Sequence, residues 1–267
     1  MILTNEENSP YEELRFDYTH RSQPSLLLDA IHKIHILCQT IPGGVAVFFP
    51  SYKMLQTFTH ALHTSNTFTT INACKRIFVE SRENPNVFDD YASHIRSCKE
   101  KEEDNPNQSE SNEPSTSESN QTSNDLSMRG GLLLAVIGGR LSEGINFSDD
   151  LGRCVAIVGM PYANRHDVVL KERMSFAEKQ VHGSGEELYT NLCMKAINQT
   201  IGRAFRHQND WAAIALLDCR YSQQSIRTQI TPWINSQCRV YKKHQEMKNA
   251  LEHFVRTMQC NTNQVGE

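Results

Sequence analysis

The chain has 267 residues, with 27 lysines and arginines against 31 acids, a formal net charge of −4. That length can bury a sizeable core as one large domain or two small ones. The charge excludes a globally basic nucleic-acid binder, so any phosphate-binding surface must be local. The eight cysteines (38, 74, 98, 154, 193, 219, 238 and 260) contain no Cys-x-x-Cys pair, which argues against a metal site in this chain. We expect them to be reduced packing residues of an intracellular protein. The longest apolar run, Leu132–Ile137, is far too short to cross a bilayer, and the first residues lack a signal-peptide pattern, so no membrane association is expected.

Residues 1–24 form a polar lead-in, in which only Phe16 and Tyr18 alternate as in a short strand. Leu27, Ile31, Ile34, Cys38 and Ile41 then recur at helical spacing, with Ser25 as a plausible cap, until Pro42-Gly43-Gly44 breaks the pattern. Val45–Phe49 is a continuous apolar run of strand length, as expected of a strand buried on both faces. A helical pattern through Met54, Leu55, Phe58 and Leu62 follows it. Ser51 lies at the helix N-terminus, where free N–H groups and a hydroxyl would be presented. Arg76–Glu80 reads as a second short strand and Val87–Cys98 as a helix.

Residues 99–127 are almost entirely Glu, Asn, Ser, Thr, Gln and Pro. Up to Asp125 they hold eight acids and two lysines, a net of −6 that leaves +2 for the rest of the chain. Such a segment cannot bury enough apolar surface to offset its ordering entropy, so it is expected to be a disordered insertion. Strong core patterns resume directly after it. Leu132–Ile137, Cys154–Met160 and Trp211–Leu217 are three further buried-strand runs. Helical patterns occupy about Val168–Lys179 and Leu188–His207, and Ile234–Met258 reads as one or two helices. Buried strands alternating with helices predict a three-layer α/β domain with a mainly parallel sheet. In such folds sites gather at the C-terminal ends of strands, here Ser51-Tyr52, Gly138–Gly144, Pro161–Asn164 and Asp218.

On the expected helix 188–207, Gln199, Arg203 and Arg206 fall within roughly 60° of one another, with Gly202 beside them. Ile197, Ile201, Ala204 and Phe205 point the other way. Two guanidinium forks on one face suit a polyphosphate, although two arginines three residues apart also occur on solvated helix faces. The loop Gly138–Phe147 has three glycines around Arg140, Ser142 and Glu143. It can offer backbone N–H donors and a carboxylate, or be merely a tight turn. No Gly-Lys pair occurs, so there is no phosphate loop, nor is there an Asp-Glu-x-His or Asp-Glu-x-Asp run to hold magnesium. The arginines therefore read as the complement of an ATPase site.

The order of these segments resembles the second RecA-like domain of XPD-type superfamily 2 DNA helicases, most closely the ChlR branch. The segments are Phe48-Phe49-Pro50-Ser51-Tyr52, Gly139–Phe147, Asp150–Arg153, Gly159–Tyr162, Gln199-x-x-Gly202-Arg203-x-x-Arg206-His207 and Leu216-Leu217-Asp218. The likeness runs from about Phe16 to Lys243 around the insertion. It implies DNA contacts at Ser51, Tyr52, Arg140 and Ser142, and nucleotide contacts at Glu143, Gly144 and Gly202. It also implies that Arg203 and Arg206 act as arginine fingers, with Gln199 beside them, toward ATP and Mg2+ bound mainly by a first domain. That missing half would carry the family's iron–sulfur cluster. Expected partners are single-stranded or forked DNA, the N-terminal helicase half, and cohesion or replication-fork proteins in the nucleus; the family moves 5′ to 3′. Arg140 stands where relatives often have Lys, Ala163 replaces a usual Pro, and Phe205 replaces a smaller aliphatic residue.

The expected organisation is a lead-in over 1–24, a helicase domain over 25–243 and a C-terminal helix and tail over 244–267. Residues 1–267 alone are expected to be a fragment or partial product with little ATPase activity. The rival reading is a non-enzymatic protein that binds single-stranded DNA or a partner. A dinucleotide-binding enzyme is disfavoured, because Gly138-Gly139 lacks the G-x-G-x-x-G spacing.

Overall fold

The computed structural model describes residues 1–5, 13–104, 130–141, 147, 149–205 and 210–264. In chain order the elements are β1 (Ile2–Leu3), α1 (Pro24–Thr40), β2 (Gly43–Phe49), α2 (Tyr52–Thr64), α3 (Thr67–Cys74) and β3 (Arg76–Val79). They continue as α4 (Val87–Asp104), β4 (Gly130–Val136), β5 (Cys154–Val158), α5 (Val168–Gln180), α6 (Ser184–Gly202) and β6 (Ala213–Leu217). The last are α7 (Gln224–Arg227), α8 (Pro232–Asn235), β7 (Val240–Tyr241) and α9 (His244–Gln264).

The seven strands form one sheet in the order β3-β4-β2-β5-β6-β1-β7, with every described pairing parallel. Strand β2 is central, pairing along its whole length with β4 (Gly43 with Gly130 through Phe49 with Val136) and with β5 on its other side. Its alternate residues explain the doubly apolar pattern. Val45, Val47 and Phe49 enter one core with α1, α2 and α9, while Ala46 and Phe48 enter the other with α4 and α6. Each step of the chain toward the β3 edge crosses the first face and each step toward the β7 edge crosses the second, as right-handed crossovers require. The result is the α/β three-layer architecture expected from the strand and helix runs.

Several local expectations are corrected. Helix α1 starts at Pro24, a residue suited to the first helical position, and its cap is Gln23, which makes no side-chain capping bond; Ser25 is inside the helix. Residues Phe16 and Tyr18 form no strand: Phe16 is buried in the core and Tyr18 is 84% exposed. Strands β1 and β7 and helix α3 were not anticipated. Each two-residue strand carries too little pattern to be read locally, yet Ile2 and Leu3 are fully buried between β6 and β7. The tail contains β7 and the short α8 before a single long helix, α9.

The polar segment 99–127 begins as helix, not as disordered chain, because α4 runs to Asp104 and Lys99 pairs with Asp150 at 3.0 Å. Positions 105–127 of that expectation lie outside the described residues. Gly43 and Gly44 mark a close crossing. Gly43 has φ +62°, and a Cβ on Gly44 would lie 2.2 Å from the Tyr91 hydroxyl and 2.3 Å from the Leu151 carbonyl. Only glycine lets β2 start beneath the Asp149–Leu151 turn.

Candidate nucleotide and nucleic-acid interface

All parallel strands end on one side of the sheet, and there a cleft of about 1470 Å³ opens. Its walls come from the ends of β2 (Pro50, Ser51), β4 (Ile137, Gly138) and β5 (Met160–Asn164), from α6 (Ala196, Gln199, Thr200, Arg203), and from the segment Arg15–Arg21.

Ser51 is the N-cap of α2, its hydroxyl accepting the Met54 N–H at 3.2 Å, as the strand–loop–helix reading expected. Tyr52 lies beside it but not on the cleft wall. Its hydroxyl donates to Glu80 Oε1 at 3.0 Å, and the Arg82 guanidinium sits 4.8 Å from its ring centroid. Burial and the Glu80 carboxylate together hold the Tyr52 phenol above its ordinary pKa.

Glu80 organises the neighbouring loop. It is 5% exposed at the end of β3, and its carboxylate accepts the Val136 N–H at 2.7 Å and the Leu141 N–H at 3.3 Å. Gly139 passes so close that a Cβ there would lie 2.9 Å from Glu80 Oε1. One buried carboxylate thus joins Tyr52 to both ends of the turn that displays Arg140, which is exposed. Sequence reasoning missed Glu80; its signal was a lone acid closing the otherwise apolar strand Ile77-Phe78-Val79. Ser142, Glu143 and Gly144 lie outside the described residues.

Helix α6 stops at Gly202, shorter than the expected run to His207. Arg203 still has helical dihedrals (φ −76°, ψ −15°), but its carbonyl accepts the Phe147 N–H at 3.2 Å. The last described backbone donors turn three residues back, Arg203 N–H to the Thr200 carbonyl at 3.3 Å and Ala204 N–H to the Ile201 carbonyl at 3.1 Å. Gln199 and Arg203, four residues apart, share the face that lines the cleft, with Gln199 exposed and Arg203 half-buried. The opposite face is core, with Ile197, Ile201 and Ala204 buried and the Phe205 ring packed edge-on to Trp233 at 5.0 Å. Gly202 is exposed with open space around it and does not line the cleft. Arg206 and His207 lie outside the described residues.

Phe147, fully buried and edge-on to Phe48 and Phe88, ties the chain after the glycine loop to the end of α6. Close to it Arg153 binds Asp150 and Asp210, each at 3.0 Å, and packs over Trp211. Asp218, fully buried at the end of β6, holds Arg220 through both carboxylate oxygens at 2.8 Å and accepts the Phe16 N–H at 2.9 Å. Burial would lower the Arg220 pKa, but Asp218 outweighs it and raises the value, so the guanidinium stays charged on the cleft wall. Arg165 forms a two-pronged pair with Glu186 (2.8 and 2.7 Å) and stacks on Tyr189. Both arginines line the cleft beyond the residues that the sequence singled out, each charge-paired with a carboxylate.

The family model described as the helicase C-terminal domain matches residues 34–237, which include β2, the glycine loop and all of α6. The chain belongs to this family. The helicase C-terminal domain here is 38% identical over 238 residues to the mouse protein named ATP-dependent DNA helicase DDX11, covering 86% of this chain and 24% of that protein. It is 34% identical over 241 residues to ATP-dependent DNA helicase chl-1 of Caenorhabditis elegans, covering 90% of this chain and 25% of the relative. The chain thus spans about a quarter of the length of these relatives. A solved XPD helicase superposes with a TM-score of 0.58 at 20% identity, over 86% of this chain and 34% of that one, which confirms the RecA-like fold.

Among the described residues no three His, Cys, Asp or Glu side chains stand together to hold a metal ion. The eight cysteines form no disulfide and are spread along the chain.

Proposed function

We propose that this helicase C-terminal domain is the second motor domain of an ATP-dependent DNA helicase and completes an ATP site whose phosphate loop belongs to a first domain. The observation that carries the reading is that Gln199 and Arg203 project from the last turn of α6 into the same cleft that Ser51 borders at the head of α2. Arg203, with Arg206, neutralises charge developing on the γ-phosphate, and Gln199 orients it. In this reading the nucleotide contacts are Glu143, Gly144 and Gly202, and the DNA contacts are Ser51, Tyr52, Arg140 and Ser142. The Phe147–Arg203 hydrogen bond links the two sets, so that a change at the phosphate is felt at the strand. ATP and Mg2+ are held by the first domain, which in this reading also carries an iron–sulfur cluster. The substrate is single-stranded or forked DNA, travelled 5′ to 3′, in nuclear genome maintenance or sister-chromatid cohesion.

The test is DNA-stimulated ATP hydrolysis. Residues 1–267 alone are expected to show none. In a protein joining this chain to an ATP-binding first domain, Arg206→Ala or Arg203→Ala is expected to cut turnover by roughly 10³–10⁵-fold. Hydrolysis by the chain alone that Arg206→Ala abolishes would overturn the reading. Strand binding without hydrolysis in the joined protein would favour a non-enzymatic binding module.

A further inference from the structure

We infer that Tyr18 and Arg21 form a stacking platform for one base of single-stranded DNA at the rim of the cleft, an inference that rests on the proposed passage of a strand across it. Tyr18 is 84% exposed, the most exposed large apolar or aromatic side chain among the described residues, yet it lines the cleft. The Arg21 guanidinium lies 4.7 Å from its ring centroid and covers one side, leaving the other to solvent.

The turn that displays the ring is tied down by hydrogen bonds. Phe16 is buried at 4% exposure and its N–H is held by Asp218. Asp17 accepts hydrogen bonds from the Thr19 N–H and hydroxyl (3.1 and 2.8 Å), the His20 N–H (3.1 Å) and Arg15 Nε (2.8 Å). Arg21 N–H closes back onto the Asp17 carbonyl at 3.0 Å. A large aromatic ring held outward at little remaining entropic cost is poorly explained as packing, because 84% of it is exposed and its described ring contact is with Arg21. Its features are those of a base-stacking surface: a π-face, a cation to polarise it, and no directional hydrogen-bond code.

The position selects a strand over a free nucleotide. Gly159 brings the Tyr18 turn and the head of α2 together, since a Cβ there would lie 2.9 Å from Phe16 Cβ and 3.4 Å from Pro50 Cγ. Tyr18 is two residues beyond Phe16, and Ser51, the α2 cap, is one beyond Pro50. Tyr18 and Ser51 line the same cleft, so a strand stacked on Tyr18 runs toward the positive end of the 13-residue α2.

The experiment measures binding of the 267-residue chain, at fixed low salt, to a short deoxythymidine oligonucleotide carrying 2-aminopurine. A matched abasic strand and a fluorescent ATP analogue are run in parallel. Tyr18→Ala is expected to weaken the base-bearing strand roughly 5- to 150-fold and to abolish quenching of 2-aminopurine. The abasic strand and the ATP analogue are expected to be unaffected, and Tyr18→Phe to behave as wild type. Wild-type binding by Tyr18→Ala would overturn the platform while leaving strand binding intact. Equal weakening of base-bearing and abasic strands would also overturn it, as would a loss confined to the ATP analogue. Failure of the unsubstituted chain to bind either strand would overturn the strand reading and the platform with it.

Discussion

Glu80→Ala removes the acceptor that joins the head of α2 to the loop after β4. Val136 and Leu141 are each 4% exposed, so their N–H groups, now 2.7 and 3.3 Å from the carboxylate, cannot recover water when it is gone. A buried donor left unpaired costs roughly 1–3 kcal/mol. The Val136 bond is short and counts near the upper end, the Leu141 bond is long and counts near the lower, and Tyr52, half-buried, recovers part of its loss from solvent. The sum is about 3–5 kcal/mol, which for a domain of this size is a fall in melting temperature of roughly 6–20 °C. Glu80→Gln keeps one acceptor and turns an amide N–H toward a donor, so about half the effect is expected. Thermal melts of the 267-residue chain followed by circular dichroism read this directly. Tyr52→Phe combined with Glu80→Gln is expected to be non-additive by more than about 0.5 kcal/mol, since both touch one bond. A Glu80→Ala melt within about 2 °C of wild type would refute the reasoning.

Two further expectations concern buried charge. Lys33 and Asp29, 1% and 0% exposed, pair on α1 at 2.7 Å, with His244 of α9 3.0 Å from the same carboxylate. Asp29→Asn removes the charge opposite the buried ammonium, leaving it Asn5 Oδ1 at 2.9 Å, and is expected to cost about 3 kcal/mol, much of it recovered by adding Lys33→Met. Urea midpoints check this, and an unshifted midpoint for Asp29→Asn alone would count against it. At Asp150 burial raises the carboxyl pKa, but Lys99 and Arg153 outweigh it and hold the value below 3.8. A depressed carboxylate stabilises the fold fully above about pH 5 and loses that contribution as pH falls through its folded value. Asp150→Asn is therefore expected to flatten the acid limb of the stability–pH curve; an unchanged limb would refute the pairing.

The strands β2, β4, β5 and β6 were legible from sequence because a strand buried on both faces must be apolar at every position. The two-residue strands β1 and β7 were not, because their pairing is made by chain far away in sequence. Ser51 as a helix cap and Gln199 with Arg203 on one helix face follow from local periodicity and hydrogen-bonding chemistry. Glu80 does not: whether a strand-end acid is solvated or buried depends on where the β4 loop passes.

Sequence by itself determined the layer architecture, the apolar face of α6, and the ordered set of segments that marks the helicase C-terminal domain. These depend on spacing along the chain, which sequence records directly. Only tertiary structure decided that the Phe147 N–H reaches the Arg203 carbonyl just past α6, and that Lys99 on the α4 extension meets Asp150. It also decided that a polar lead-in places Tyr18 and Arg21 on the cleft rim. Each of these depends on a partner brought close by the fold, and the local pattern carries no trace of that partner.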